Sequence, residues 1–380
     1  MQDAGASPKR PIEAAEDFAP WLAENAQDWE RERALPRAFF ARAAEAGLLG
    51  LLVPPEQGGR GASYAELLRV LEILASADMG ATFALVVHAN HARAIANSGK
   101  PELIARWLPD MLAGQVVGAF LLTEPRGGSD AAALETTAVE DGGDWVVNGA
   151  KAWITNAPSA DLLNVFVQTA PGSRAKGVAS LQIPAGAPGV TRLPAYEMLG
   201  GHSIGAGGFE FRDVRVPKSS MMLGPGEGFK AAMAGIDIAR AGVAAMCAGM
   251  LRAGLDAAMP RLLAREAFGG PLADQQGLMW SLADVATDLE ATRRLAYGAA
   301  EEIDAHGAAP EIAAHAKKFA TRAAFAGLRA CMQAMGADGL KQDAPLARHL
   351  SGAKIAEYLD GTTEIQNVVI SRALRKAYGG

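Results

Sequence analysis

The sequence predicts an α+β fold with three parts: an N-terminal helical domain, a central small β-barrel or sandwich, and a C-terminal four-helix bundle. Residues 1–114 carry helical hydrophobic patterns separated by Pro and Gly. Residues 115–220 carry short runs of β-forming residues divided by Gly, Pro and Asn. Residues 221–380 return to long helical patterns with short connections, which are typical of an antiparallel bundle.

Helix start and stop signals follow one another closely in the N-terminal domain. Pro11 suits the first turn of a helix, and Gly47 suits a helix end. Ser63 begins another helix, because Glu66 three residues later completes a capping box. The expected helices cover residues 11–31, 36–46, 63–75, 82–96 and 101–112.

The central part reads as a series of short strands. The segment Asp141-Gly142-Gly143-Asp144 has the composition of a hairpin turn. Strand density of this kind suggests a small barrel or sandwich. The expected strands cover residues 116–122, 136–139, 145–147, 152–155, 162–169, 178–183 and 208–211.

Long helical patterns fill the last part of the chain. A glycine-rich loop, residues 224–228, precedes the first of them. We interpret it as a linker, because no βαβ unit surrounds it as a dinucleotide-binding loop would require. The expected helices cover residues 229–265, 275–306, 310–335 and 346–359, with a last helix after Gly361.

Composition excludes several classes of partner. The chain has 380 residues, of which 50% are apolar, and a formal net charge of −6. An acidic chain without a clustered basic surface is not expected to bind nucleic acid. The longest apolar window, residues 233–250, is interrupted by Asp237 and Arg240, so we expect no membrane-spanning helix. The N-terminal residues lack the apolar core of a signal peptide, and we expect a cytoplasmic protein.

The cysteines and histidines do not have the spacing of a metal site. Cys247 and Cys331 lie in Ala- and Met-rich helical stretches, where buried packing thiols are expected. The six histidines form no HExxH motif or similar cluster. We therefore expect no metal centre.

Two short stretches, each at the end of an expected strand, carry the strongest functional signal. The first, Thr123-Glu124-Pro125-Arg126-Gly127-Gly128-Ser129-Asp130, is a loop with few bulky side chains, so its backbone amides and hydroxyls are free to hold a flat polar group. The second is Lys151-Ala152-Trp153-Ile154-Thr155-Asn156. Taken alone, either stretch is also what an ordinary strand-to-loop turn or a β core would contain.

Together, these stretches resemble the acyl-CoA dehydrogenase family, and the resemblance extends from about residue 34 to residue 377. It implies a flavoprotein that binds FAD. The first loop would hold the pyrimidine edge of the flavin, with Ser129 also near the thioester ligand. Trp153 would cover the ring, and the Thr155 hydroxyl would hydrogen-bond to flavin N5. The residues implied at the flavin are Leu122, Thr123, Gly128, Ser129, Trp153, Ile154 and Thr155.

Two further stretches resemble the family's site for the FAD diphosphate and adenosine. A guanidinium matches a pyrophosphate bidentately, which suits Arg265 in Arg265-Glu266-Ala267-Phe268-Gly269. In the family these residues reach across from a neighbouring subunit, which implies a homo-oligomer, mostly a dimer of dimers. The second stretch departs from the family where Ala337 replaces a Gly. The residues implied here are Arg265, Phe268, Gln276, Gln333, Gly336 and Ala337.

Asp237 and Arg240 lie three residues apart and therefore share one face of an expected helix. Such a pair is often an exposed ion pair of little consequence. Their apolar surroundings indicate burial instead, where charges need a partner. In the resemblance, Asp237 contacts the pantetheine arm of the substrate and Arg240 lies near the catalytic carboxylate.

The base is implied by Leu359-Asp360-Gly361-Thr362, where many family members have Tyr-Glu-Gly-Thr. That Glu removes the α-proton of the thioester, so the resemblance makes Asp360 the catalytic residue. An Asp at this place also suits a helix N-cap. Glu357, one helical turn earlier, is a second candidate. Some relatives carry the base just before the arginine of the earlier helix, but that position is Ala239 here.

The residues that follow Asp360 complete the implied site. Gly361 would contact the substrate, and Thr362 and Glu364 would contact the flavin. Because Asp is one methylene shorter than Glu, its carboxylate falls about 1.5 Å short. We expect that difference to leave room for a branched or cyclic acyl group.

The implied reaction is FAD-dependent α,β-dehydrogenation of an acyl-CoA, with the α-proton passing to Asp360 and the β-hydride to flavin N5. Electron-transfer flavoprotein is the expected acceptor. A flavin oxidase of the nitroalkane oxidase type also uses an Asp base, but those enzymes carry a nearby Arg where this chain has Asn367. A non-dehydrogenating relative, such as a desulfinase or an acyl-binding protein, and a cofactor-free helical interaction protein remain further alternatives.

Overall fold

The computed structural model describes residues 9–342 and 344–379, and it has the three-part α+β architecture that the sequence predicts. Five helices form the N-terminal part. The expected capping box is present, since the Ser63 side chain accepts from the Glu66 N–H. The fourth helix begins earlier than expected, because the Asp78 carboxylate caps it by accepting from the Ala81 N–H at 2.8 Å. These helices are α1 (Pro11–Glu32), α2 (Arg37–Glu45), α3 (Tyr64–Ala77), α4 (Met79–Ala96) and α5 (Pro101–Leu112).

The central part is an eight-stranded sheet in the order β6-β7-β3-β2-β4-β5-β8, with β1 pairing in parallel to β4. The hairpin at residues 141–144 is confirmed, since Asp141 pairs with Asp144 at its base. The strands are β1 (Gly118–Leu121), β2 (Thr137–Asp141), β3 (Asp144–Ile154), β4 (Leu162–Gln168), β5 (Val178–Pro184), β6 (Val190–Arg192), β7 (Gly207–Pro217) and β8 (Met221–Leu223).

The strands expected at residues 145–147 and 152–155 are one continuous strand, β3, and the prediction of two strands is wrong. Asn148 and Gly149 between them have the composition of a turn but form a bulge in the pairing of β3 with β7. The Asn148 side chain accepts from the Asp213 N–H at 2.8 Å, and Gly149 has φ +144°. A side chain at Gly149 would collide with Thr136, so the bulge needs glycine.

The C-terminal part contains five helices. The fourth expected helix ends at Ala356 rather than at residue 359, and a short hairpin that the sequence did not indicate, β9 (Glu266–Ala267) and β10 (Gly270–Pro271), separates the first two. Both of the last two helices pack against the third. The helices are α6 (Glu227–Ala264), α7 (Gln276–His306), α8 (Pro310–Met335), α9 (Leu346–Ala356) and α10 (Thr363–Ala377).

Helix α6 is the centre of the helical core. Leu71 of α3, Met246 of α6 and Leu328 of α8 belong to one buried cluster, so the first and last parts of the chain share a core. By length and composition alone α6 could cross a membrane, contrary to the expectation from the sequence, but 56% of its most apolar window is buried inside the fold. A core helix of a water-soluble fold satisfies the same test.

Both cysteines are buried and free, as expected, and burial raises the pKa of each thiol to about 12. Within residues 9–342 and 344–379 no group of three or more His, Cys, Asp or Glu side chains is arranged to hold a metal ion.

Candidate active site

A buried ion pair joins the two motifs that follow β1 and lie on β3. The Lys151 ammonium is 2.9 Å from Glu124 Oε1, and the two side chains are 0% and 4% exposed. Lys151 also donates to the Leu122 carbonyl at 3.1 Å. The Glu124 carboxylate accepts from the N–H groups of Glu135 at 2.7 Å and Thr136 at 2.9 Å. The pair therefore holds together the start of the loop after β1, the end of that loop just before β2, and strand β3.

The pair also balances the electrostatics of this region. Burial lowers the pKa of Lys151 to about 8, while Glu124 opposes the shift. For Glu124, burial acts to raise the pKa, but Lys151 and the amide donors bring it below the ordinary value. Both groups stay charged at neutral pH because each has the other as partner.

The loop itself lies at the surface. Residues 125–130 are exposed, and the Ser129 hydroxyl has no hydrogen-bond partner among the described residues. Thr123 is half-buried, and its carbonyl accepts from the Ala152 N–H at 3.0 Å. A side chain at Gly128 would stand 3.0 Å from the Thr123 hydroxyl, so glycine lets the loop fold back over Thr123. The structure thus brings Thr123, Gly128 and the second motif together.

Trp153 lies on a kink near the end of β3. The pairing of β3 with β7 shifts register between Lys151 and Ile154, and Trp153 between them has φ +59°. This kink turns the Trp153 ring outward, where it is 63% exposed and packs against the Tyr196 ring at 4.6 Å. An exposed indole fixed in this way offers a flat apolar face for a ligand.

The residues around Trp153 differ in which of their atoms are available to a ligand. Thr155 is buried, and its hydroxyl has no hydrogen-bond partner among the described residues. Asn156 anchors the segment, since its side-chain amide donates to the Ala84 carbonyl at 2.9 Å. The side chains of Leu122 and Ile154 are buried in apolar clusters, so only their main chains are available to a ligand.

Asp360 lies in the loop between α9 and α10, where the chain turns with φ +49°. Its Oδ2 atom is buried and has no hydrogen-bond partner among the described residues. Burial raises the pKa of Asp360 to about 6, although Lys317 and Arg240 oppose the shift. The N-cap of α10 is Thr362, so the interpretation of Asp360 as that cap is wrong. Its carboxylate is left free to act as a base.

The second candidate base is less suited to that role. The Glu357 carboxylate is 2.5 Å from the Lys354 ammonium, in an ion pair one turn apart. Its Oε2 atom therefore already has a cationic partner, unlike the unpartnered Oδ2 atom of Asp360. The geometry therefore favours Asp360 over Glu357.

Arg240 and Asp237 lie beside the Asp360 loop. The Arg240 Nε–H donates to the Asp360 carbonyl at 3.2 Å, and another of its nitrogens is 2.5 Å from the Asp237 carboxylate. Arg240 is buried and Asp237 half-buried, so the interpretation as an exposed surface pair is wrong. Burial raises the pKa of Asp237, and Arg240 opposes that shift. Arg240 thus adjoins the Asp360 loop directly, and Asp237 reaches it only through Arg240.

Two buried side chains near Asp360 were missed at the sequence level. The Lys317 ammonium donates to the Gly361 carbonyl at 2.6 Å and to the Glu357 carbonyl at 3.3 Å. The Gln366 amide donates to the Gly361 carbonyl at 2.8 Å. A signal for Lys317 was present, because it falls on the Ala-rich stripe of α8 that faces the core.

The motifs implied at the FAD diphosphate and adenosine lie on a separate, exposed part of the surface. Phe268 is 93% exposed. The two motifs adjoin each other, since Arg261 donates to the Met335 carbonyl. In addition, the pKa of Asp338 is lowered by three nearby cations, Lys341, Arg261 and Arg265. No hydrogen bond among the described residues joins this region to the flavin loop. The exposed residues are Arg265, Phe268, Gln276, Gln333, Gly336 and Ala337, and Glu364 is likewise exposed on α10.

Comparison with known families matches almost the whole chain. Residues 12–115 match the model described as acyl-CoA dehydrogenase, N-terminal domain, residues 119–214 the middle domain, and residues 226–375 the C-terminal domain. The chain belongs to the acyl-CoA dehydrogenase family. It is accordingly an FAD-dependent oxidoreductase.

Individual relatives agree with this assignment. The short-chain specific acyl-CoA dehydrogenase of Bos taurus is 36% identical over 350 residues, covering 92% of this chain and 85% of the relative. An acyl-CoA dehydrogenase of Bacillus subtilis is 32% identical over 354 residues, covering 93% of each chain. Butyryl-CoA dehydrogenase from Megasphaera elsdenii superposes with a TM-score of 0.91 at 30% identity, covering 98% of this chain and 100% of that structure.

The residues of this chain fit FAD as the cofactor. A glutaryl-CoA dehydrogenase from Mycobacterium smegmatis in complex with FADH2 superposes with a TM-score of 0.91 at 27% identity, covering 96% of this chain and 94% of that structure. In this chain, the bare loop amides, the exposed Trp153 ring and the free hydroxyls of Ser129 and Thr155 are suited to a flat ring with a polar edge. When bound, FAD supplies the acceptor for a hydride.

Proposed function

We propose that this chain dehydrogenates an acyl-CoA thioester at its α,β bond, with Asp360 as the base. The observation that carries the proposal is the buried Asp360 Oδ2 atom without a hydrogen-bond partner, on a loop held by Arg240. Asp360 takes the α-proton, the electrons of that C–H bond form the α,β double bond, and the β-hydride leaves to the acceptor that FAD would supply. The proton, the electron pair and the hydride are thereby all accounted for.

A pKa of about 6 suits this role at neutral pH. Asp360 is then mostly ionised and able to accept a proton, yet more basic than an ordinary aspartate. Arg240 holds the main chain of the base rather than its carboxylate, so the loop is fixed while the basic oxygen stays free. We propose that Asp237, which pairs with Arg240, contacts the pantetheine arm; their contact on α6 supports this role.

For the substrate we propose a short acyl group with a branch or a ring near the α-carbon. The likeness to a short-chain specific dehydrogenase and to butyryl-CoA dehydrogenase supports the short main chain. The branch or ring rests on the shorter side chain of Asp360, which leaves about 1.5 Å of additional space.

For the partners we propose electron-transfer flavoprotein as the acceptor and a dimer of dimers as the assembly, in the cytoplasm. A solved structure similar to this chain carries the description of an electron transferring flavoprotein of Acidaminococcus fermentans. Exposed apolar side chains such as Phe268 on the β9–β10 hairpin and Trp280 on α7 support an interface between copies.

Anaerobic bleaching of the bound flavin tests the proposed reaction. We expect butyryl-, isobutyryl- or cyclohexanecarbonyl-CoA to bleach the flavin absorbance, with the branched and cyclic thioesters faster than the straight one. Glu357→Gln, a change to a neighbouring carboxylate, should bleach like the unmodified protein, whereas Asp360→Asn should not bleach. Absence of bleaching by every thioester, or oxygen consumption with a nitroalkane instead, would contradict the proposal.

A further inference from the structure

A buried lysine lies beneath the loop that carries the base. Lys317 of α8 is 1% exposed, and its ammonium lies among the last turn of α9, the Asp360 loop and α6. Ion pairs of Lys317 with a carboxylate are absent among the described residues; the hydrogen bonds it makes are to main-chain carbonyls. Burial of an ammonium without a paired carboxylate is costly, so it needs a compensating role.

We propose that Lys317 is the positioning residue for the base: its ammonium holds the loop through two carbonyl hydrogen bonds and supplies positive charge beside the Asp360 carboxylate. The inference rests on the proposed function. The two carbonyls, those of Glu357 and Gly361, lie on either side of Asp360, at 3.3 Å and 2.6 Å from the ammonium. A donor that spans the loop in this way fixes the direction in which Asp360 points.

The strained conformation of the loop is the reason that such a support is needed. Asp360 has φ +49°, a left-handed conformation that is strained for a non-glycine residue. Strain of this kind persists only when the surrounding structure holds it. Arg240, Gln366 and Lys317 supply that support by donating to the carbonyls of Asp360 and its neighbours.

The charges that face Lys317 agree with this role. Asp360 in the loop and Glu357 at the end of α9 attract the ammonium, Arg240 on α6 repels it, and the Cys247 thiol on α6 is neutral. Burial lowers the pKa of Lys317 to about 8, so it is mostly protonated at neutral pH. Its positive charge keeps the pKa of Asp360 from rising further, because a nearby cation favours the ionised carboxylate.

Lys317→Met removes both the donor and the charge while keeping the side chain's length. Lys318→Met is the matched control, because Lys318 is the next residue on the same helix and is exposed. Hydrogen exchange of residues 357–366 in the purified FAD-bound protein reports the loop directly, without any substrate. We expect exchange about tenfold faster or more in Lys317→Met, with α1 unchanged as an internal reference and Lys318→Met unchanged throughout.

The pH profile of α-proton exchange in D₂O separates the charge from the hydrogen bonds. Loss of the cation should move the acid limb of the profile to higher pH by about one pH unit. The exchange rate at pH 6 should therefore fall about fivefold. Near pH 8, where Asp360 is mostly ionised in every variant, a roughly ten- to hundredfold loss should remain because the base is no longer aligned. A purely structural role would lower the rate without moving the acid limb.

Two outcomes overturn the inference: loop exchange in Lys317→Met that equals that of the unmodified protein, or an acid limb that does not move. Should Lys317→Met not yield soluble protein, Lys317→Gln keeps a donor for one carbonyl and should move the acid limb with a smaller change in loop exchange. If no thioester exchanges its α-proton even in the unmodified protein, the proposed function fails, while hydrogen exchange across the loop still decides whether Lys317 positions it.

Discussion

Removing one partner of the buried Glu124–Lys151 pair should destabilise the protein strongly. In Glu124→Gln, one carboxylate oxygen becomes an amide NH₂ group. When the remaining oxygen takes the place of Oε1, it still accepts from Lys151 and from the Thr136 N–H. The new NH₂ group then takes the place of Oε2 and faces the Glu135 N–H, which loses its acceptor at 2.7 Å. The Lys151 ammonium also loses the charge that compensates its complete burial. We expect a loss of about 3–5 kcal/mol in the free energy of unfolding.

The assay is urea unfolding at pH 7, followed by far-ultraviolet circular dichroism and by release of FAD. Glu140→Gln is the matched control, because Glu140 forms an exposed ion pair with Lys218 on the same sheet. It should change stability by less than about 0.5 kcal/mol. The double variant Glu124→Gln with Lys151→Met should recover part of the loss, because both charges are then gone.

A loss of less than about 1 kcal/mol for Glu124→Gln would refute this reasoning, since it would mean that the pair is not desolvated in solution. Loss of FAD without loss of stability would place the effect in the loop alone. Equal losses in the free energy of unfolding for Glu124→Gln and Glu140→Gln would also refute it.

Two other predictions concern pH and cofactor retention. Burial lowers the pKa of His88 and of His91 to about 4. Both histidines therefore stay neutral in the folded protein, whereas in the unfolded chain they would protonate near pH 6.5. The free energy of unfolding should fall as the pH decreases from about 6.5 to about 4, by up to about 3 kcal/mol per histidine. His91→Gln should flatten this dependence in urea titrations at several pH values, and an unchanged slope would show that His91 protonates freely. Trp153→Ala should weaken FAD binding about tenfold with little change in melting temperature, because the ring is exposed. The control Val139→Ala, at another exposed residue on β2, should change neither FAD binding nor melting temperature. Full FAD retention in Trp153→Ala would remove Trp153 from the cofactor site.

The order of helices and strands could be predicted from local patterns, because capping residues, hairpin glycines and hydrophobic periodicity act over a few residues. The capping box at Ser63 and the hairpin at residues 141–144 are examples. The division of β3 into two strands was wrong for the same reason. Asn148 and Gly149 favour a turn locally, and only pairing with Asp213 on β7 makes them a bulge.

The candidate site was predictable where it depends on motifs and not where it depends on contacts between distant elements. Asp360 could be located, but its N-cap alternative was excluded only when Thr362 was found at that position. Glu124 and Lys151 lie within the two motifs, yet nothing in a linear pattern pairs a residue of the loop after β1 with one on β3. The burial of Lys317 beneath the loop likewise depends on how α8 packs against α9 and α10.

The exchange of the acyl-CoA α-proton with D₂O, measured against pH for the unmodified protein and Asp360→Asn, tests the central claim most directly. Because the base must be ionised, exchange should rise with pH, reach half of its maximum near pH 6 and then stay level toward neutral pH. Asp360→Asn should keep its FAD and lose the exchange. Exchange that persists in Asp360→Asn at the rate of the unmodified protein would show that another group is the base.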